Sequence, residues 1–226
     1  MKSYLKIFKN YQSFGGFTLI ELLVAMAITS MVVSITGFGL VTIMKRNSKE
    51  ESETARRVEL NRALDFIADD IRMANKVEAA SSYTIDPVSP ALCAVPKPVL
   101  HLTIPDSPTN NHVVYYFNDI NSCTSTWLKP ALIKRVQNVT TTPIPGSNGS
   151  ELVDAITNVD ITPSCPTDLS TVSPTPVSGK VKGFYACTNS SNPRVVELHL
   201  IGKLTDAYGN STGTYEVKTR VFARSS

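Results

Sequence analysis

The sequence predicts an α+β fold in which a long N-terminal helix packs on an antiparallel β-sheet. Two observations carry that prediction. All fourteen prolines lie at or after Pro87, so the first 86 residues hold none of the strongest helix breakers. Past residue 77, short β-prone runs alternate with turn residues, as in a sheet built from hairpins.

The helix opens with an apolar run. Residues 17–44 contain no lysine, arginine or aspartate and one glutamate, Glu21. At about 1.5 Å rise per residue the run is long enough to cross a hydrocarbon core of roughly 30 Å. Ahead of it, residues 1–16 form a short basic leader that ends in Gly15-Gly16. Lys2, Lys6 and Lys9 of that leader account for the whole net charge of +3. From Phe17 onward the chain is formally neutral, which argues against a direct nucleic-acid partner.

Three readings of the apolar run compete. Ala25-Met26-Ala27 resembles a signal-peptidase site, yet the run continues beyond it and its core holds Glu21. An uncleaved signal anchor is the second, and the charge rule does not orient it, because Lys45, Arg46 and Lys49 match the leader's lysines. The third begins from the cost of a carboxylate in a membrane helix, a few kcal/mol on insertion scales, which calls for a partner. No basic side chain stands at helical spacing from Glu21 within the run. A cut between Gly16 and Phe17 would create one, the new ammonium at Phe17.

Residues 48–76 continue as an amphipathic helix. Leu60, Leu64, Ile67, Ile71 and Ala74 recur every three or four residues and form one stripe, expected to pack on the sheet. Glu53 with Arg57, and Asp69 with Arg72, are expected as weak surface pairs. Strands are expected at about 99–104, 113–117, 131–136, 152–161, 181–186, 195–204 and 215–223. In the sixth, Val196, Leu198 and Leu200 alternate with Glu197, His199 and Ile201, which predicts one buried face. Segments 81–97, 140–150 and 163–179 read as surface loops.

Cys93, Cys123, Cys165 and Cys187 contain no C-x-x-C pair, so two structural disulfides are expected rather than a metal or redox motif. Neighbour pairing, Cys93 with Cys123 and Cys165 with Cys187, closes the shortest loops. His101, His112 and His199 show no close ligand spacing and are expected in surface or satisfied structural roles. No nucleophile elbow, P-loop or dinucleotide fingerprint is present. No catalytic residue, metal ligand or cofactor is assigned. Residues 206–213 read as a hairpin turn, with calcium the less favoured reading. Trp127, the single tryptophan, is expected to anchor a core, and its alternative is an exposed contact for a sugar or a partner.

Gly16-Phe17-Thr18-Leu19-Ile20-Glu21, followed by an apolar helix, resembles the signal of type IV pilins and of the pseudopilins of type II secretion systems. The stretch from Arg62 to Ala74 is similar to the minor subunits called PilW and to J-type minor pseudopilins. The resemblance implies cleavage after Gly16 by a prepilin peptidase and N-methylation of Phe17. It implies that Glu21 sets the docking of the subunit beside a neighbour's terminus in a fibre. It divides the chain into a leader (1–16), a transmembrane and assembly helix (17–44), its amphipathic continuation (45–76) and a β-rich globular domain (77–226). The implied protein is a non-enzymatic minor subunit, at the tip or as a primer. It would be single-pass in a bacterial inner membrane, in contact with lipid, and later part of a periplasmic or surface fibre. Its partners would be the peptidase, other pilin or pseudopilin subunits and an inner-membrane assembly platform. The alternatives are a signal-anchored periplasmic module and a pilus-displayed glycan-binding adhesin. Major pilins commonly carry a proline within this helix; here Thr36-Gly37-Phe38-Gly39 occupies the region.

Overall fold

The computed structural model describes residues 16–80, 83–84, 95–105, 111–139, 149–189, 191–206 and 210–224. The chain divides into two compact units that meet between Asn47 and Ser48, and one helix, α1 (Leu19–Met73), belongs to both.

In the first unit α1 is apolar and exposed throughout, with an 18-residue window of mean hydropathy 2.1. Its hydroxyls serve its own backbone. Thr29 donates to the Ala25 carbonyl at 2.7 Å, Ser30 to Ala27 at 2.9 Å, and Ser34 to Ser30 at 2.7 Å. Thr36 donates to Val32 at 2.7 Å and Thr42 to Phe38 at 2.9 Å. An apolar surrounding therefore meets no unpaired hydroxyl on this stretch.

In the second unit the remainder of α1 lies against a nine-stranded antiparallel sheet. The strands are β1 (Lys76–Ala79), β2 (Lys97–Ile104), β3 (Asn111–Asp119), β4 (Ala131–Val136), β5 (Ser150–Ile156), β6 (Thr171–Ser173), β7 (Phe184–Asn189), β8 (Asn192–Thr205) and β9 (Ser211–Phe222). They run in the order β1-β2-β3-β4-β5-β8-β7-β6, with β9 paired to β8. The fold is α+β with a long N-terminal helix.

The expected stripe is the core. Leu60, Leu64, Ile67, Ile71 and Ala74 are all buried, against Leu100 and Leu102 of β2, Tyr115 and Phe117 of β3, and Leu198 and Leu200 of β8. Gly202 is where helix and sheet come closest: a Cβ there would lie 2.6 Å from Leu60 Cδ1. Gly183 has a similar role between strands, since a Cβ would meet the Thr157 carbonyl oxygen at 2.6 Å. That closeness lets Gly183 N–H donate to Thr157 (3.0 Å) while Thr157 N–H donates to Ile201 (3.0 Å).

Several expectations are corrected. β1 and β6 were not among the seven expected strands. β5 ends at Ile156 rather than 161, because Thr157 turns to bond Ile201 and only Ile161 re-enters pairing, as a single bridge to Val181. β7 is shifted to begin at Phe184. β8 has two buried faces, not one. Beneath it lies the helix-side core; above it, Leu169, Val181, Tyr185, Cys187, Val195 and Ile201 form a second cluster, roofed by the segment between β5 and β7. The Cys165–Cys187 disulfide ties that segment down across 22 residues. Cys93, the expected partner of Cys123, lies outside the described residues, and no described cysteine is a free thiol. Segment 140–148 and most of 81–94 also lie outside them.

Candidate functional site

The start of α1 is built by three residues. Thr18 precedes the first helical residue, Leu19, and its Oγ1 accepts the Glu21 backbone N–H at 3.3 Å, while its carbonyl accepts the N–H groups of Glu21 (3.1 Å) and Leu22 (3.3 Å). Thr18 is thus the N-cap and Glu21 the third helical residue, the T-x-x-E spacing of a capping box. The sequence reading above overlooked this cap, although the spacing alone announces it. A carboxylate here faces the positive end of the helix dipole, which stabilises it by about 0.3–1 kcal/mol. That is less than the cost of carrying the charge into lipid, so the dipole leaves Glu21 short of a full counter-charge.

Gly16, Phe17 and Glu21 therefore stand together at one helix start. Glu21 borders an apolar helix face of Ile20, Val24, Ala25 and Ile28. Among the described residues its carboxylate makes no ion pair or hydrogen bond, which makes it the one polar side chain of the apolar stretch without an intramolecular partner. The cysteines belong to the other unit and contribute nothing here.

The globular unit holds buried charge that the sequence reading did not single out. Arg56, on the buried side of α1, pairs with Asp154 of β5. Asp70 Oδ2 accepts from Tyr115 Oη at 2.6 Å and Arg135 Nε at 2.7 Å. Burial, followed by the hydrogen bond to Asp70, pushes the Tyr115 phenol well above its usual range. Of the expected surface pairs, Asp69 and Arg72 meet at 2.5 Å. Glu53 instead accepts from Thr212 Oγ1 (2.7 Å) and faces Lys49, while Arg57 lies over the Tyr215 ring.

His199 is 1% exposed, stacked on Tyr185 with ring centroids 4.4 Å apart and held between Glu216 at 2.9 Å and Glu197 at 3.1 Å. His101 is buried beside Tyr83 and His112. These are satisfied structural positions. Trp127 departs from expectation: it is 40% exposed, next to exposed Leu128, and anchors no core. Of the 206–213 turn, residues 207–209 lie outside the described residues; Asp206 accepts from the Asn210 N–H at 2.8 Å. Among the described residues no three His, Cys, Asp or Glu side chains gather as a metal-binding group.

No characterised protein and no solved structure gives a significant match to this chain. Residues 12–41 match the family model of the prokaryotic N-terminal methylation motif, which brackets Gly16, Phe17, the Thr18 cap and Glu21. The chain accordingly carries a type IV pilin-like prepilin signal, and that signal points to a structural subunit rather than an enzyme.

Proposed function

We propose that this protein is a minor pilin or pseudopilin. It is made as a single-pass inner-membrane precursor with its apolar helix in lipid, cleaved by a prepilin peptidase between Gly16 and Phe17, and N-methylated on Phe17. It is then passed by the assembly platform into a fibre of related subunits. The observation that carries this reading is the coincidence of the methylation motif with a helix whose hydroxyls are all bonded internally and whose single carboxylate is not. Glu21 needs a cation, and cleavage supplies one at a neighbour's Phe17 ammonium. The stretch from Arg62 to Ala74 supports a minor role, at the tip or in priming.

Intact mass and N-terminal sequencing of the membrane-extracted protein test the proposal. The expected product begins with N-methylated Phe17. An intact Met1 in cells with active peptidase overturns it in favour of a tethered periplasmic module.

One observation favours a second reading, a glycan-binding adhesin carried on the fibre. Trp127 and Leu128 present an exposed apolar surface among polar neighbours. On that reading Trp127→Ala abolishes adhesion and leaves fibre incorporation unchanged.

A further inference from the structure

On the sheet face opposite α1, three donor atoms converge. His101 of β2 and His112 of β3 sit on adjacent strands, in a register that pairs His101 with Val114 and Thr103 with His112, so the two imidazoles lie diagonally on one face. Tyr83, set by the bond from its N–H to the Ala80 carbonyl (3.0 Å), brings its hydroxyl to the same point. His101 Nε2 is 3.1 Å from Tyr83 Oη and 3.0 Å from His112 Nδ1. The imidazoles stack at 5.2 Å between centroids. On the far side of the ring, His101 Nδ1 faces Glu78 Oε2 of β1 at 3.5 Å.

Hydrogen bonding serves this trio poorly. A ring nitrogen offers one proton or one lone pair, and His101 Nε2 has two polar neighbours at contact distance. A cation resolves the conflict by accepting lone pairs from all three atoms.

We propose that His101 Nε2, His112 Nδ1 and Tyr83 Oη form a site for a divalent transition metal of the Zn2+ type. Imidazole nitrogens suit this class of ion. Tetrahedral bonds of about 2.0 Å set ligand atoms about 3.3 Å apart, so separations of 3.0 and 3.1 Å need only a small expansion. Glu78 stands where a carboxylate fixes the tautomer of a ligating histidine, by taking the Nδ1 proton and leaving Nε2 free for the ion. Burial, and then the neighbouring His112, lower the His101 pKa, so the ring is in the neutral form that ligates. Burial raises the Tyr83 pKa, and on coordination its phenol gives its proton to solvent. Neither histidine belongs to a ligand motif in sequence, because β2–β3 pairing creates the neighbourhood and a tyrosine completes it.

The test is calorimetric titration of Zn2+ into the tag-free, chelator-washed full chain in detergent. The expected result is one saturable equivalent, with proton release seen as a buffer-dependent heat. Affinity should fall tenfold or more in His112→Asn and in Tyr83→Phe, with the proton release lost in Tyr83→Phe. Glu78→Gln should weaken binding by about tenfold. Absence of a saturable equivalent, or binding unchanged in the folded variants, overturns the proposal. Tyr83→Phe keeps the ring that packs on His101, so it decides the matter if His112→Asn does not fold.

Discussion

Arg56 Nη2 lies 2.6 Å from Asp154 Oδ1, an ion pair between α1 and β5 whose side chains are 7% and 9% exposed. The same guanidinium nitrogen reaches the Asp154 carbonyl, and Asp154 Oδ2 accepts the Leu128 N–H at 2.7 Å. One aspartate therefore fixes both the helix and the loop that carries Trp127. Removing one member of such a pair leaves an uncompensated buried charge, so Asp154→Ala should cost about 3–5 kcal/mol. Arg56→Met in that background should recover part of the loss by removing the orphaned charge. Denaturant unfolding of the four proteins measures the coupling, and additive losses would show that the pair does not act as a unit.

The close approach of Gly202 to Leu60 makes a sharper prediction. Gly202→Ala places a methyl group against both Leu60 Cδ atoms, at 2.6 and 2.8 Å, and should cost about 1–3 kcal/mol. Leu60→Ala alone opens a cavity and should cost about 2–5 kcal/mol. The double variant should lose less than the sum, because the new methyl fills space that Leu60 vacated. Strict additivity would mean that the clash is relieved by backbone movement instead.

The roof over the second face of β8 depends on its covalent tie. Replacing Cys165 and Cys187 with serine reopens a 22-residue loop and should cost about 3 kcal/mol. Because the roof covers Tyr185 and the His199 stack, Tyr185 should become accessible to quenching before the rest of the domain melts. A single cooperative transition, with Tyr185 still protected, would show that apolar packing holds the segment without the disulfide.

What the sequence made legible divides along physical lines. The helix stripe was readable because Leu60, Leu64, Ile67 and Ile71 repeat at the helical period, and all of them are core. The strands β1 and β6 were not, since Lys76–Ala79 and Thr171–Ser173 have little β-character of their own and are held by pairing to β2 and β7. His199 and Glu197 read as a solvent face because polarity was taken for exposure; a roof and two carboxylates make burial tolerable. Arg56 and Asp70 were passed over for a related reason. Their partners, Asp154 and Arg135, lie 98 and 65 residues away, beyond any local pattern. Of the helix start, Glu21 and the glycine before Phe17 were evident, and the Thr18 cap was present in the spacing but unread.

That cap allows the two tasks of Glu21 to be separated. Thr18 stabilises the first turn through its hydroxyl, while Glu21 contributes a carboxylate with no described partner. Thr18→Ala removes the hydroxyl and keeps the charge, at a cost of about 1 kcal/mol to the helix start. Glu21→Gln keeps a side chain compatible with the capping box and removes the charge. If the carboxylate pairs with a neighbouring subunit's Phe17 ammonium, Glu21→Gln and Glu21→Ala should both be cleaved after Gly16 yet enter fibres poorly. Thr18→Ala should assemble close to normally. Intact mass of the membrane fraction reports cleavage, and immunoblots of sheared fibres report incorporation. Normal incorporation of Glu21→Gln removes the ion-pair reading, because the charge would then be dispensable. Equal loss in Thr18→Ala and Glu21→Gln would assign the effect to the fold of the first turn, since that turn is the one feature both substitutions touch.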